Sequence, residues 1–388
     1  MSFFNEIYER KKTNSIKWDM MNQIYQLDDT SEILPMWVAD MDFAAPQFLV
    51  DALTERLSHP IFGYTFPDED VKQAITNWFF TRHHWTIDAA SLLFHQGVIP
   101  AIATIIETFT SAGDKIGMST PIYPPFFNVP KAQQREIVTC DLTENNGSYE
   151  WDFEKLEQLF QSGIQMYILC NPHNPAGIVW SYEHLQQLIS LCIKYDVFLL
   201  ADEIHADILI NKAYTPILTV AGAENAKIIS CIAPTKTFNL AGIHAAMTVS
   251  PNKEIRKAIE QTAKAHGSLS LNTFACTAVK SVYTNGAKWV DELLTYLKNN
   301  MDYVVEQLNA INGIHVTIPD ATYLMWIDYR GTGLTEKEIM DRLLSIGKVA
   351  LDPGTKYSEA GRGFLRINVA CPFDTLKDGV ERIKLSLQ

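Results

Sequence analysis

The sequence predicts an α/β protein with a large, mostly parallel central sheet and a smaller α+β part. Three observations predict it. From about residue 90, short apolar runs alternate with helical stretches, as in parallel strands joined by crossover helices. Runs such as "VFLLADEIH" are apolar without a break and end in acids, as expected of strands covered on both faces. A long helical stretch, "AKWVDELLTYLKNNMDYVVEQLNAI", then leads into a region of different pattern. For a chain of 388 residues, two domains are the natural expectation. The boundaries fall at 46–286 for the large domain, with 1–45 and 287–388 forming the small one.

The elements follow in order. "VIPAIATIIETFTSAG" reads as a helix, with Pro100 in its first turn and Gly113 as its C-terminal cap. "KIGMSTP" is a short strand and "MYILCNP" a buried one. Ser181 can cap a helix whose Leu185, Leu188, Ile189, Cys192 and Ile193 form one apolar stripe. "VFLLADEIH", "IISCIAP" and "AAMTVS" supply three more strands. The C-terminal region reads as "TYLMWIDYR", a helix near 335–347, "VALDPG", "FLRINVAC" and a last helix.

Bulk composition narrows the function classes. The formal net charge is −13, with acidic residues spread along the chain rather than gathered in a tail, which argues against a nucleic-acid surface. No run approaches the eighteen or so consecutive apolar residues of a membrane span. "MSFFNEIYERKKTNSIKWDM" lacks the features of a signal peptide, so a cytoplasmic location is expected. The six cysteines are scattered without a C-x-x-C pair, and reduced core thiols fit them better than disulfides or metal ligands. H-E-x-x-H, G-x-G-x-x-G and G-x-x-x-x-G-K-[ST] are all absent, so zinc and the usual nucleotide sites are unsupported.

In an open α/β sheet, functional residues gather at the carboxyl ends of the strands. There the sequence places Gly97, Tyr123, Asn174, Asp202, His205 and Lys236. Lys236 is the only charged residue between Lys227 and Lys253, and lysine is rarely buried without a reason. Together these suit pyridoxal 5′-phosphate: an amine for its aldehyde, a carboxylate for its ring nitrogen, and helix N–H groups for its phosphate. Singly, each has a simpler reading. Lys236 could reach for solvent, Asp202 could cap a turn, and Asn171 and Asn174 could be turn residues. Tyr123 could be core, His205 structural, and Gly97 a helix start.

The order of the motifs is more specific. "WVADMDF", "FGYT", "QGVIPAI", "PIYPPF", "NPHNPAG", "ADEIHADI", "PTKTFNLAG" and "GRGFLRINVACP" span residues 37–372. In this the chain resembles fold-type I pyridoxal-phosphate enzymes of the class I/II aminotransferase superfamily, which have the aspartate aminotransferase fold. Within it, the chain is similar to the C–S lyase branch, cystathionine β-lyases of the MalY/PatB type. The resemblance implies that Lys236 bonds the cofactor aldehyde, Asp202 pairs with the ring nitrogen, and Asn174 donates to the phenolate oxygen. It also implies that His205 approaches that oxygen and that Tyr123 stacks on the ring. The phosphate would be held at Gly97 by the backbone of Val98 and Ile99, by Thr235, and by Tyr64 of a second subunit. Arg366 would clamp the substrate carboxylate, with Asn174 and Tyr64 beside it.

Two departures from the aminotransferase pattern stand out. His244 occupies the position of a phosphate-binding arginine, and Ala233 that of a serine, so weaker cofactor retention is expected. The implied activity is β-elimination from cystathionine, cysteine or related S-substituted cysteines. The implied assembly is a homodimer with composite active sites. An aminotransferase on the same scaffold is the alternative, because the first steps are shared. A regulatory protein with a vestigial site would be favoured by loss of Lys236, Asp202 or Arg366, and all three are present.

Overall fold

The structure is a computed structural model that describes residues 3–268 and 270–387. Its main sheet has seven strands: β1 (Leu92–His95), β2 (Lys115–Thr120), β3 (Glu136–Asp141), β4 (Met166–Cys170), β5 (Phe198–Asp202), β6 (Ile228–Ile232) and β7 (Ala246–Val249). Their order is β1-β7-β6-β5-β4-β2-β3, and only β7 runs against its neighbours. The expected mostly parallel sheet is therefore present.

Alternation along the inner strands explains why they are apolar on both sides. Met166, Ile168 and Cys170 of β4 and Phe198 and Leu200 of β5 face one layer. There they meet Ile102, Ile105 and Ile106 of α1 (Val98–Phe109) and Ile255 and Ile259 of α2 (Lys253–Ala265). Tyr167, Leu169, Leu199 and Ala201 face the other layer. That layer contains Leu156 and Phe160 of α3 (Phe153–Gln161) and Leu185, Leu188, Ile189 and Cys192 of α4 (Tyr182–Tyr195). Burying a side chain of this size contributes about 1.5–3 kcal/mol, so a polar residue on these strands would be expensive. Ser181 does cap α4, accepting from the His184 amide at 3.1 Å.

A second sheet lies toward the C-terminus. It comprises β8 (His315–Val316), β9 (Leu324–Asp328), β10 (Asp352–Pro353) and β11 (Phe364–Asn368), ordered β8-β9-β11-β10 and wholly antiparallel. The long helix Ala287–Leu308 and the last helix Phe373–Leu387 pack against each other. Leu34–Pro35 from the N-terminal segment pairs with Val349–Ala350. The largest apolar cluster runs from Phe4 to Ile383 and includes residues of both sheets.

Three local expectations are corrected. Gly113 does not cap α1: that helix ends at Phe109 with Thr110 as its cap, and Gly113 sits in the following turn at φ +89°. Ile193 is 45% exposed, because the buried stripe of α4 closes with Cys192. The helix near 335–347 is α-helical only over Glu336–Arg342 and widens into a π turn at Leu343–Gly347.

Candidate active site

The carboxyl ends of the parallel strands converge on one cavity of about 260 Å³. Past β1 come Gln96, Gly97, Val98 and Ile99; past β2, Tyr123; at and past β4, Cys170 and Asn174. Strand β5 contributes Asp202, Ile204 and His205, and the turn after β6 contributes Thr235 and Lys236. Because β7 is reversed, its beginning lies at the same edge. His244 and Ala245, just before it, therefore line the cavity as well. Ala39 from the N-terminal segment completes the lining.

Thus Gly97, Val98, Ile99, Tyr123, Asn174, Asp202, His205, Thr235 and Lys236 are brought together. Arg366 on β11 does not line the cavity but stands beside it, donating from Nη1 to Asn174 Oδ1 at 3.0 Å. Its Nη2 donates to the Trp37 carbonyl at 2.7 Å and to Asp352 Oδ2 at 2.8 Å, and the guanidinium lies 5.0 Å from the Tyr357 ring centre. Arg366 Nε is buried without a partner. Tyr64 is fully exposed and outside the cavity of its own chain, in a segment where Phe62 and Phe66 are also exposed. Asn171 serves its own turn, accepting from the Trp180 amide. Ala233 is buried in the apolar layer against α1.

Enclosure sets the electrostatics. Burial pushes the Asp202 carboxyl up to about 7, against the Ile204 amide bond and the charge of Lys236, which favour its ionised form. Burial, then the Arg366 charge, brings the Lys236 amine down to about 8, against the pull of Asp40 and Asp202. Lys236 Nζ donates to the Ala39 carbonyl at 2.7 Å. His205 is lowered to about 3, by burial and then by Lys236 and Arg366, so it is a neutral imidazole. Its buried Nδ1 has no partner.

Sequence reasoning missed several supports. Asp352 holds Arg366 and also accepts from Tyr357 Oη at 2.8 Å and Lys356 Nζ at 2.7 Å. In the sequence it stands within "VALDPG" with nothing to single it out. The segment 37–41 was legible as a motif but not for its role, because its backbone does the binding. The carbonyls of Trp37, Val38, Ala39, Asp40 and Met41 accept in turn from Arg366, Asn368, Lys236, Asn368 and Asn239. Tyr323 Oη is a second donor to the Ala39 carbonyl, at 2.9 Å.

With a lysine and a carboxylate in one strand-end cavity of a large, mostly parallel sheet, the chain belongs to the aminotransferase class I and II family. Residues 32–383 match the model of the aminotransferase class I and II family. Among curated relatives, the chain is 40% identical over 387 residues to cystathionine beta-lyase PatB of Bacillus subtilis, covering 99% of each chain. Among solved structures, it is similar to a putative aminotransferase from Clostridium difficile with bound pyridoxal phosphate. There the TM-score is 0.95 at 38% identity, covering 99% of each chain. It is also similar to cystalysin from Treponema denticola, which contains a pyridoxal 5′-phosphate cofactor. The TM-score is again 0.95, at 32% identity over 100% of this chain and 99% of that one.

Proposed function

We propose that this chain is a carbon–sulfur lyase using pyridoxal 5′-phosphate. It eliminates the β-substituent of cystathionine, cysteine or other S-substituted cysteines, and with water gives thiol, pyruvate and ammonia. One observation carries the reading: a partly neutral Lys236 amine shares a cavity with Asp202, in a chain 40% identical from end to end to a cystathionine β-lyase.

The residues present fit the cofactor. The first amides of α1, at Val98 and Ile99, open onto the cavity and make an anion site for a phosphate. Thr235 and His244 stand there too, the latter in place of the arginine of the aminotransferase pattern. Buried Asp202, held up to about 7 despite the charge of Lys236, would be met by a protonated ring nitrogen. The carbonyl of the Asn174 amide is committed to Arg366, which leaves its NH2 group for the phenolate oxygen. The unpartnered His205 Nδ1 is a further polar atom to be satisfied, and Tyr123 forms the wall against the ring.

When bound, the cofactor supplies an aldehyde that takes up an amine and a ring that accepts the electron pair left on the substrate Cα. The chain does the rest. Arg366 holds the substrate α-carboxylate, backed by Asp352, and enters with Nε still unpaired. Lys236 Nζ takes the Cα proton. At its lowered pKa roughly one amine in ten is neutral at pH 7, far more than for an exposed lysine. The thiolate leaving group then departs from Cβ.

An aminotransferase is the second reading, favoured by the 38% likeness to a protein described as a putative aminotransferase. Pyruvate and homocysteine released from cystathionine without any oxo-acid acceptor are the expected result. Turnover only when an acceptor is added would replace the lyase reading with the transferase.

Tyr64, exposed with Phe62 and Phe66, fits a contact with the second copy of a homodimer, where it would reach the neighbour's phosphate site. No described helix is long and apolar enough to cross a membrane. The six cysteines are free and buried, which suits the cytoplasm.

A further inference from the structure

Next to Lys236 in the chain, Thr237 joins a buried polar cluster outside the cavity lining that none of the chemistry above uses. Asp207 is 3% exposed, yet its carboxylate takes three hydrogen bonds from two other parts of the chain. Oδ1 accepts from Trp78 Nε1 at 3.0 Å and His83 Nε2 at 2.7 Å, and Oδ2 accepts from Thr237 Oγ1 at 2.8 Å. The Arg82 guanidinium approaches Oδ1 at 3.9 Å. Trp78, Arg82 and His83 belong to the helix Glu69–His83, whereas Thr237 immediately follows Lys236. None of Asp207, Trp78, His83 or Thr237 lines the cavity.

The rest of the lysine turn is fixed as well. Phe238 packs against Trp78 at 5.6 Å and Trp289 at 5.7 Å between ring centres. A methyl group on Gly286 would come within 2.4 Å of the Phe238 ring. Asn239 bonds the amide and the carbonyl of Met41. Thr237 is the one polar tether between the turn and the 202–208 segment, because its hydroxyl alone meets Asp207 among the side chains of 233–240.

We propose that Asp207 is a positioning residue for Lys236. Through Thr237 it locks the lysine turn to the helix Glu69–His83 and to the segment bearing Asp202 and His205, and so sets where the amine stands. A buried carboxylate is costly unless it is fully bonded, and here every bond joins the elements that must hold still. Burial alone would push the Asp207 carboxyl up, but the bonds from His83 and Thr237 and the charges of His83 and Arg82 hold it below the usual carboxylate range. The tether therefore stays ionised near neutral pH.

The inference rests on Lys236 being the reactive amine but not on the choice between elimination and transamination. Its test uses no substrate. In full-length, cofactor-stripped protein, the pH dependence of Lys236 labelling by trinitrobenzenesulfonate, read by peptide mass spectrometry, reports the amine pKa. In Thr237→Val, which keeps the volume and the other bonds of Asp207, the midpoint rises by about 0.5–1 pH unit as the amine escapes its enclosure. Thr237→Ser restores the wild-type midpoint. In the holoenzyme, the pH midpoint of the visible cofactor band moves in Thr237→Val and not in Thr237→Ser. Wild-type midpoints in Thr237→Val overturn the proposal, and so does a shift that Thr237→Ser fails to reverse, since packing rather than the bond would then be responsible. Acceptor-dependent turnover with these shifts intact would overturn the lyase reading alone.

Discussion

Lys236 pays for its reactivity in stability. A folded-state pKa near 8 against an ordinary 10.5 means that the folded chain disfavours the charged amine. The cost is fully present below pH 8, shrinks as pH rises from 8 to 10.5, and is absent above that range. Lys236→Met should therefore abolish turnover while stabilising the cofactor-free protein at pH 7 by about 1–3 kcal/mol, a gain that falls when denaturant melts are repeated at pH 9.5. Arg366 offers a second test. Asp352→Asn removes a charged partner from a buried guanidinium, and the KM for the amino acid should rise about 10–100-fold with the cofactor absorbance unchanged. The two cations were legible in the sequence because each stands in a distinctive motif. Asp352 was not, because the contact that defines its role spans 14 residues and joins two strands.

At the level of elements, the strands were legible wherever burial on both faces left an unbroken apolar run. Helix ends were less so: Gly113 looks like a cap but follows a helix already closed by Thr110, whose hydroxyl bonds back to the Ile106 carbonyl. The reversal of β7 was not visible either, since a buried strand reads the same in both directions. That reversal brings His244 into the cavity that Val98 and Ile99 also line. The phosphate grip should accordingly depend on few side chains. Thr235→Val is expected to raise the cofactor dissociation constant about tenfold, measured by fluorescence titration of the stripped protein. An unchanged constant would remove Thr235 from the site.

For the whole molecule, one chain supplies the cavity, while Tyr64 stays outside its lining, fully exposed beside Phe62 and Phe66. If two chains share each site, Lys236→Ala and Tyr64→Ala subunits should complement. In a mixed dimer both defects fall on one site and the other is intact. Random mixing of equal amounts should then recover about a quarter of wild-type activity from two nearly inactive parents. The motif "FGYT" gave the residue and, through the resemblance, its expected place in a second subunit; its full exposure in its own chain agrees with that expectation without testing it.

The segment Trp37–Met41 has a consequence of a different kind. Its carbonyls are answered one after another by side chains, and two of those donors are Arg366 and Lys236. When either cation turns to another partner, the strap loses one of these bonds, although at Ala39 the Tyr323 hydroxyl remains. A reporter group on this strap away from Ala39, which lines the cavity, would thus register occupancy of the site, and amide exchange there should distinguish empty, loaded and substrate-bound protein before any product is formed.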